Sequence, residues 1–252
     1  MPMRADELLD YLLDNRSSTF AAQCGEWIAA SARFAAFVER CRDKIRKKVR
    51  ALRDDEGQRD LLAELAVAYR LLLERQFTVE YETYAAGKIR GPDFTVSYKT
   101  HTLFNVEVKR LRASSRARGR EARVLDATCD KLHQMPPSRA NLLVVATDEP
   151  TDVPDVATGM KQLLARVERK DLDFLMRHGF RDARDFYSSY LRLSGILTGW
   201  ASVSQPGDRA SDMTSDMTSD MTSDMTSLWL NLQARHPLPP DLCRLLMRHG
   251  SR

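Results

Sequence analysis

Cysteine is scarce and scattered in this chain. Its four cysteines (Cys24, Cys41, Cys129 and Cys243) form no C-x-x-C pair. That spacing excludes the usual zinc cluster and a disulfide framework, and they read as reduced thiols. The five histidines (His101, His133, His178, His236 and His249) include no H-x-x-x-H or H-E-x-x-H arrangement, so a histidine-built metal site is not expected. No apolar run approaches the ~20 residues needed to cross a bilayer. The first residues, MPMRADELLDYLLD, are charged and amphipathic and lack the apolar core of a signal peptide. A cytoplasmic protein with no membrane partner is the expectation.

What the chain does have is segregated charge. The net charge is only +4 over 252 residues, yet Arg40–Arg53 holds eight Lys/Arg against Asp43 alone. Arg110–Arg123 holds six Arg against Glu121 alone, so the rest of the chain is net acidic. Concentrated positive charge suits an anionic partner such as nucleic acid, though an arginine-rich solvated helix face gives the same composition.

The hydrophobic pattern divides the chain into three parts. Residues 1–57 read as a helical N-terminal extension, with Leu8, Leu9, Leu12 and Leu13, then Phe34, Phe37, Val38 and Cys41, at helical spacing. A basic helix runs through Arg42–Leu52 to a break at Asp54-Asp55-Glu56-Gly57. A dimer contact is one use open to this extension. Residues 58–150 read as an α/β core. It begins with an amphipathic helix from Gln58 to Glu74, followed by the strictly alternating Phe77–Tyr84, a turn at Ala86-Gly87-Lys88, and two more strands. Arg110–Gly119 reads as a polar loop, Glu121–Met135 as a helix stopped by Pro136-Pro137, and Asn141–Thr147 as a strand buried on both faces. Residues 151–252 form an α+β C-terminal extension. Helices are expected near Val156–Glu168, Asp171–His178 and Asp182–Ser189, and Leu191–Trp200 is expected to pair with Ser227–Leu232 as a hairpin. Between those strands S-D-M-T repeats four times over Ser211–Thr226, a low-complexity loop. The pentapeptide Leu-Met-Arg-His-Gly occurs at 175–179 and again at 246–250, as two Gly-closed helix ends would explain.

The residues that carry chemistry lie in Gly91-Pro92-Asp93-Phe94-Thr95-Val96 and Phe104-Asn105-Val106-Glu107-Val108-Lys109. Strand side chains alternate between faces, so Phe104, Val106 and Val108 share one face and Glu107 and Lys109 project together from the other. A charge in so apolar a setting is costly unless it is paired or holds a metal. Two carboxylates and a lysine on adjacent strands suit a hard divalent cation and an activated water.

From Glu64 on the first core helix, through Pro92-Asp93, to Glu107-Val108-Lys109, the chain resembles the PD-(D/E)XK nuclease superfamily. The resemblance covers residues 58–147, where the element order α-β-β-β-α-β is that of a restriction-endonuclease-like core. It implies a Mg²⁺ (or Mn²⁺) ion held by Asp93, Glu107 and the Val108 backbone carbonyl, with Glu64 ligating directly or through a water. It further implies Glu64, Asp93, Glu107 and Lys109 as catalytic residues, Lys109 orienting or polarising the attacking water. Arg110, Arg112, Arg116, Arg118 and Arg120 follow the Lys109 strand directly and are candidates for phosphate contacts. Lys131 and Gln134, three residues apart on one helix face, are further nucleic-acid-binding candidates. The implied function is a divalent-metal-dependent nuclease, with DNA favoured as substrate. Two alternatives remain open: a non-catalytic nucleic-acid-binding or assembly module on the same fold, and a metal-dependent RNase.

Overall fold

A computed structural model describes residues 3–13, 19–84, 91–112, 119–148, 153–202 and 227–248. Four helices come first: α1 (Ala5–Leu13), α2 (Thr19–Ala30), α3 (Ala32–Ala51) and α4 (Asp55–Leu73). Strands β1 (Phe77–Tyr81), β2 (Phe94–Tyr98) and β3 (Thr102–Leu111) follow, then α5 (Arg120–Leu132) and β4 (Ala140–Thr147). The remainder is α6 (Val156–Glu168), α7 (Leu172–Arg177), α8 (Ala183–Tyr190), β5 (Leu193–Ser202), β6 (Ser227–Leu230) and α9 (Pro240–Arg248). The fold is mixed α/β. Its six strands form one sheet in the order β1-β2-β3-β4-β5-β6. β1, β2 and β3 make an antiparallel meander, β3, β4 and β5 are parallel, and β6 returns antiparallel to β5.

Burial explains the layering. On one face, Phe94, Val96, Phe104, Val106, Val108, Leu142 and Val144 pack against the apolar sides of α1–α4 and α9 in one continuous cluster. That cluster joins residues on both sides of position 57. On the other face, Leu111, Leu143, Val145 and Ile196 pack against α5, α6, α7 and α8. β4, buried along its whole length, divides its side chains between the two clusters. Fully burying each such side chain contributes about 1.5–3 kcal/mol. Among the described residues no helix is long and apolar enough to cross a membrane.

Several boundaries shift for local reasons. The Asp54–Gly57 segment is a helix start and not a gap: Asp54 caps α4 by accepting the Gly57 N–H at 2.8 Å. β1 stops at Tyr81 because Glu82 has φ +47, off the extended path expected through Tyr84. β3 continues to Leu111, two residues into the stretch read as a loop from Arg110. The β5–β6 hairpin and helices α6, α7 and α8 lie where the pattern places them, and α9 is an additional helix. The turn at 86–88 and the S-D-M-T repeat at 211–226 lie outside the described residues.

The basic helix α3 lies along β1, the edge strand. Arg33, Arg40, Lys44 and Lys48 share one face of it. Arg33 donates to the carbonyls of Leu72, Glu74 and Phe77, and Arg40 to that of Val79 at 2.9 Å. Lys44 donates to the carbonyls of Tyr81 at 2.7 Å and Glu82 at 3.2 Å. These cations cover outward carbonyls that an edge strand otherwise offers to another chain. Much of the α3 charge therefore satisfies the sheet and does not face a ligand.

Candidate metal and phosphate site

The register Phe94↔Val106 sets Asp93, one residue before β2, beside Glu107 in the middle of β3. Two hydrogen bonds fix the pair. The Asp93 N–H donates to Glu107 Oε2 at 3.2 Å, and the Val108 N–H donates to Asp93 Oδ2 at 2.8 Å. Glu107 is 2% exposed, and its Oε1 accepts from Lys131 Nζ of α5.

Glu64 reaches the same place from α4. Its Oε2 accepts from Lys48 Nζ at 2.7 Å and from the Tyr81 hydroxyl at 2.9 Å. Lys48 also pairs with Glu82 at 2.9 Å. Burial pushes the Glu64 carboxyl up to about 7, and the charge of Asp93 adds to the rise. Asp93 is likewise raised by burial and then by the Glu107 charge. Glu107 is raised by burial, against the pull of Lys131. The three carboxylates singled out from the sequence thus meet, Glu107 buried and Glu64 and Asp93 half-buried, and sense one another's charge. Sequence reasoning misses Lys48 and Tyr81, which hold Glu64 from elements far away in the chain.

Lys109 stands on the Glu107 face, but its ammonium turns outward to Asp130 at 3.9 Å rather than into the carboxylate cluster. There it lines a cleft of about 380 Å³ with Asp130, Lys131, Gln134, Arg177, His178 and, at the rim, His133. Lys131 and Gln134 therefore share a face as their spacing predicts, and that face borders the site. His133, Arg177 and His178 are not foreseen from the sequence. The only signal for Arg177 and His178 there is the first Leu-Met-Arg-His-Gly pentapeptide, which closes α7, and His133 has none.

The arginine cluster divides. Arg110 is corrected from a phosphate ligand to an internal ion-pair centre. Its side chain is 0% exposed, with Nε 2.9 Å from Asp60, Nη1 2.7 Å from Asp148, and Nη2 on Glu56. The reason is strand parity: β3 continues past Lys109, so Arg110 turns to the α4 side of the sheet. Arg112 is half exposed and bound to Asp60 at 2.5 Å. Arg123 is buried within α5, and Arg120 is exposed at its start. Arg116 and Arg118 lie outside the described residues.

Among the described residues, no three His, Cys, Asp or Glu side chains form a ready-made metal cage. The donors still suit one ion type. Mg²⁺ and Mn²⁺ prefer oxygen and usually keep several waters, needing only one or two carboxylates. Asp93 and Glu107 provide that pair, with elevated proton affinities that a cation would relieve. What Val108 contributes is its N–H to Asp93, and the role implied for its carbonyl has no observed contact. In comparisons with protein-family models, with curated proteins and with solved structures, the chain gives no match.

Proposed function

We propose that this chain is a divalent-cation-dependent nuclease that hydrolyses phosphodiester bonds, with DNA the favoured substrate, on a restriction-endonuclease-like core. One observation carries the reading: three mutually repelling carboxylates, the buried Glu107 and the half-buried Glu64 and Asp93, meet beside a cleft lined by cations. A structural ion pair would not need a third acid.

Asp93 and Glu107 would hold the cation, with Glu64 behind them. When bound, such an ion neutralises charge on the phosphate and lowers the pKa of a coordinated water. The chain's own groups do the remainder. Val108 N–H fixes the Asp93 carboxylate, and Lys48 and Tyr81 fix Glu64. Lys109 turns to the cleft and Asp130 and not to the carboxylates, so its part would be to offset charge developing on a phosphate there. Buried donors need no reorganisation at the moment of reaction, which is where such sites gain rate.

A second reading, a nucleic-acid-binding module without catalysis, draws on the neutralising lysines: Lys131 on Glu107 and Lys48 on Glu64. The deciding experiment offers labelled single-stranded DNA, duplex DNA and RNA to the protein with Mg²⁺, Mn²⁺ or EDTA, beside Asp93→Ala and Lys109→Ala. The nuclease reading expects cleavage that EDTA and both substitutions abolish. Cleavage equal in both variants overturns it. Binding without cleavage of any substrate supports the second reading.

A further inference from the structure

The cleft extends beyond the carboxylates in a direction that the α4–β4 segment does not account for. Lys109 and Lys131 line it, and both are engaged, with Asp130 and Glu107 respectively. Gln134, two residues past the end of α5, and Arg177, the last residue of α7, line it as well. Neither the Gln134 side-chain amide nor the Arg177 guanidinium makes a hydrogen bond or ion pair with any described residue. Their donors are thus left without acceptors in this cleft, where His178 Nε2 also makes no hydrogen bond.

The turn that presents Arg177 is built, not incidental. The Phe180 N–H donates to the Leu175 carbonyl at 2.9 Å and the Gly179 N–H to the Met176 carbonyl at 3.0 Å. Gly179 has φ +80, the left-handed conformation this helix ending requires. His133 stacks on Phe180 with ring centroids 4.3 Å apart. His178 is held between Asp126 at 3.3 Å and Asp130 at 3.4 Å. The base of Arg177 is thus fixed against α5, while its head projects into solvent over the cleft.

We propose that Arg177 and Gln134 form a subsite for a backbone phosphate of the nucleic-acid strand, flanking the phosphate that reacts at Lys109. This rests on the nuclease reading of Asp93, Glu107 and Lys109. A guanidinium fork and a neutral amide are donors matched to phosphate oxygens. Lys109 and Lys131 already face Asp130 and Glu107, and Arg177 adds a cation with no acid beside it among the described residues. Among the described residues no Phe, Tyr or Trp ring lines it to stack a base, so the subsite holds the strand without reading its sequence. The segment that carries α7 thereby extends the substrate groove past the reacting position.

The test reads binding separately from cleavage. Fluorescence anisotropy in EDTA gives Kd for single-stranded and duplex oligonucleotides with the full chain, Arg177→Ala, Arg177→Lys and Arg177→Ala/Gln134→Ala, across a salt series. Loss of one phosphate contact should lower the slope of log K against log salt by roughly 0.7–0.9. The double variant should weaken binding about tenfold, uniformly across sequences, and Arg177→Lys should restore the slope. Inorganic phosphate at constant ionic strength is the second arm. If it competes equally with wild type and the double variant, a strand phosphate is the ligand; if only wild type is sensitive, the pocket also takes free phosphate. Unchanged Kd and slope in the double variant overturn the subsite even where metal-dependent cleavage is observed. Arg177-dependent binding by a protein that cleaves nothing overturns the nuclease reading and leaves the subsite standing. Failure of wild type to bind any oligonucleotide overturns both.

Discussion

Helix α3 and the cleft between α5 and α7 are two places where cations gather, and they differ in what faces them. Along α3, Arg33, Arg40, Lys44 and Lys48 meet backbone carbonyls of β1 and the turns beside it, or the carboxylates of Glu64 and Glu82. Arg110 is the extreme of this kind, enclosed by Glu56, Asp60 and Asp148. In the cleft, Arg177 and Gln134 meet no partner among the described residues, and Lys109 has only a 3.9 Å contact with Asp130. Residue type is the same in both places. The difference is whether the fold already supplies the anion, and only the second kind is available to a ligand.

Substitutions should separate the two kinds, beginning with the largest effect. Arg110→Ala removes a fully buried charge from the partly exposed Glu56, Asp60 and Asp148, so the cost should be about 2–3 kcal/mol, below the roughly 3–5 kcal/mol of a fully buried pair. Guanidinium unfolding should show that loss, while the folded fraction keeps wild-type affinity for oligonucleotides. An affinity loss without a stability loss would return Arg110 to the substrate surface.

Acidity gives the next effect. Glu64 is pushed up to about 7 and Asp93 is raised, so the fold binds protons that the unfolded chain releases near pH 4. Between those values the native state holds more protons than the unfolded state. Stability must therefore fall as pH rises from about 4 to about 7 and level off above, by an amount on the order of 2 kcal/mol. Thermal melts of the metal-free protein should show this decline, and Mg²⁺ or Mn²⁺ should recover it at pH 8 more than at pH 5, because the cation binds the ionised carboxylates. A melting temperature that rises with pH over this window would contradict the placement of these acids.

Lys48→Met should cost about 1–2 kcal/mol at pH 8, less than a fully buried pair because Lys48 and Glu64 keep partial solvent contact. The loss should shrink at pH 5, where Glu64 is protonated. Arg177→Ala is the smallest: an exposed side chain with no partner should change stability by no more than about 0.5 kcal/mol, so its whole effect should fall on binding.

The sequence shows the centre of the site clearly and its surroundings poorly. Asp93, Glu107 and Lys109 are visible because period-two alternation makes a charge in an apolar strand conspicuous. The element order from α4 to β4 follows from the same alternation and from the unbroken apolar run of β4. Arg110 is misplaced because the sequence pattern ends the strand two residues early, and one residue in a strand reverses the face. The use of the α3 cations is hidden for another reason. Composition counts charge, but β1 carbonyls carry none, so nothing in the sequence marks them as partners. Lys48 with Glu64, and Arg177 with the cleft, are contacts between elements whose pairing only the packed fold specifies.

The nuclease reading depends on Asp93 and Glu107 forming a cation site, and Mn²⁺ binding probes that site without knowledge of the substrate. Free Mn²⁺ titrated into the protein at pH 8 and followed by electron paramagnetic resonance should show saturable binding. Asp93→Asn and Glu107→Gln should each weaken it by about tenfold or more, with Lys109→Ala close to wild type. No saturable binding, or equal binding by all the variants, would mean that these two carboxylates hold no cation.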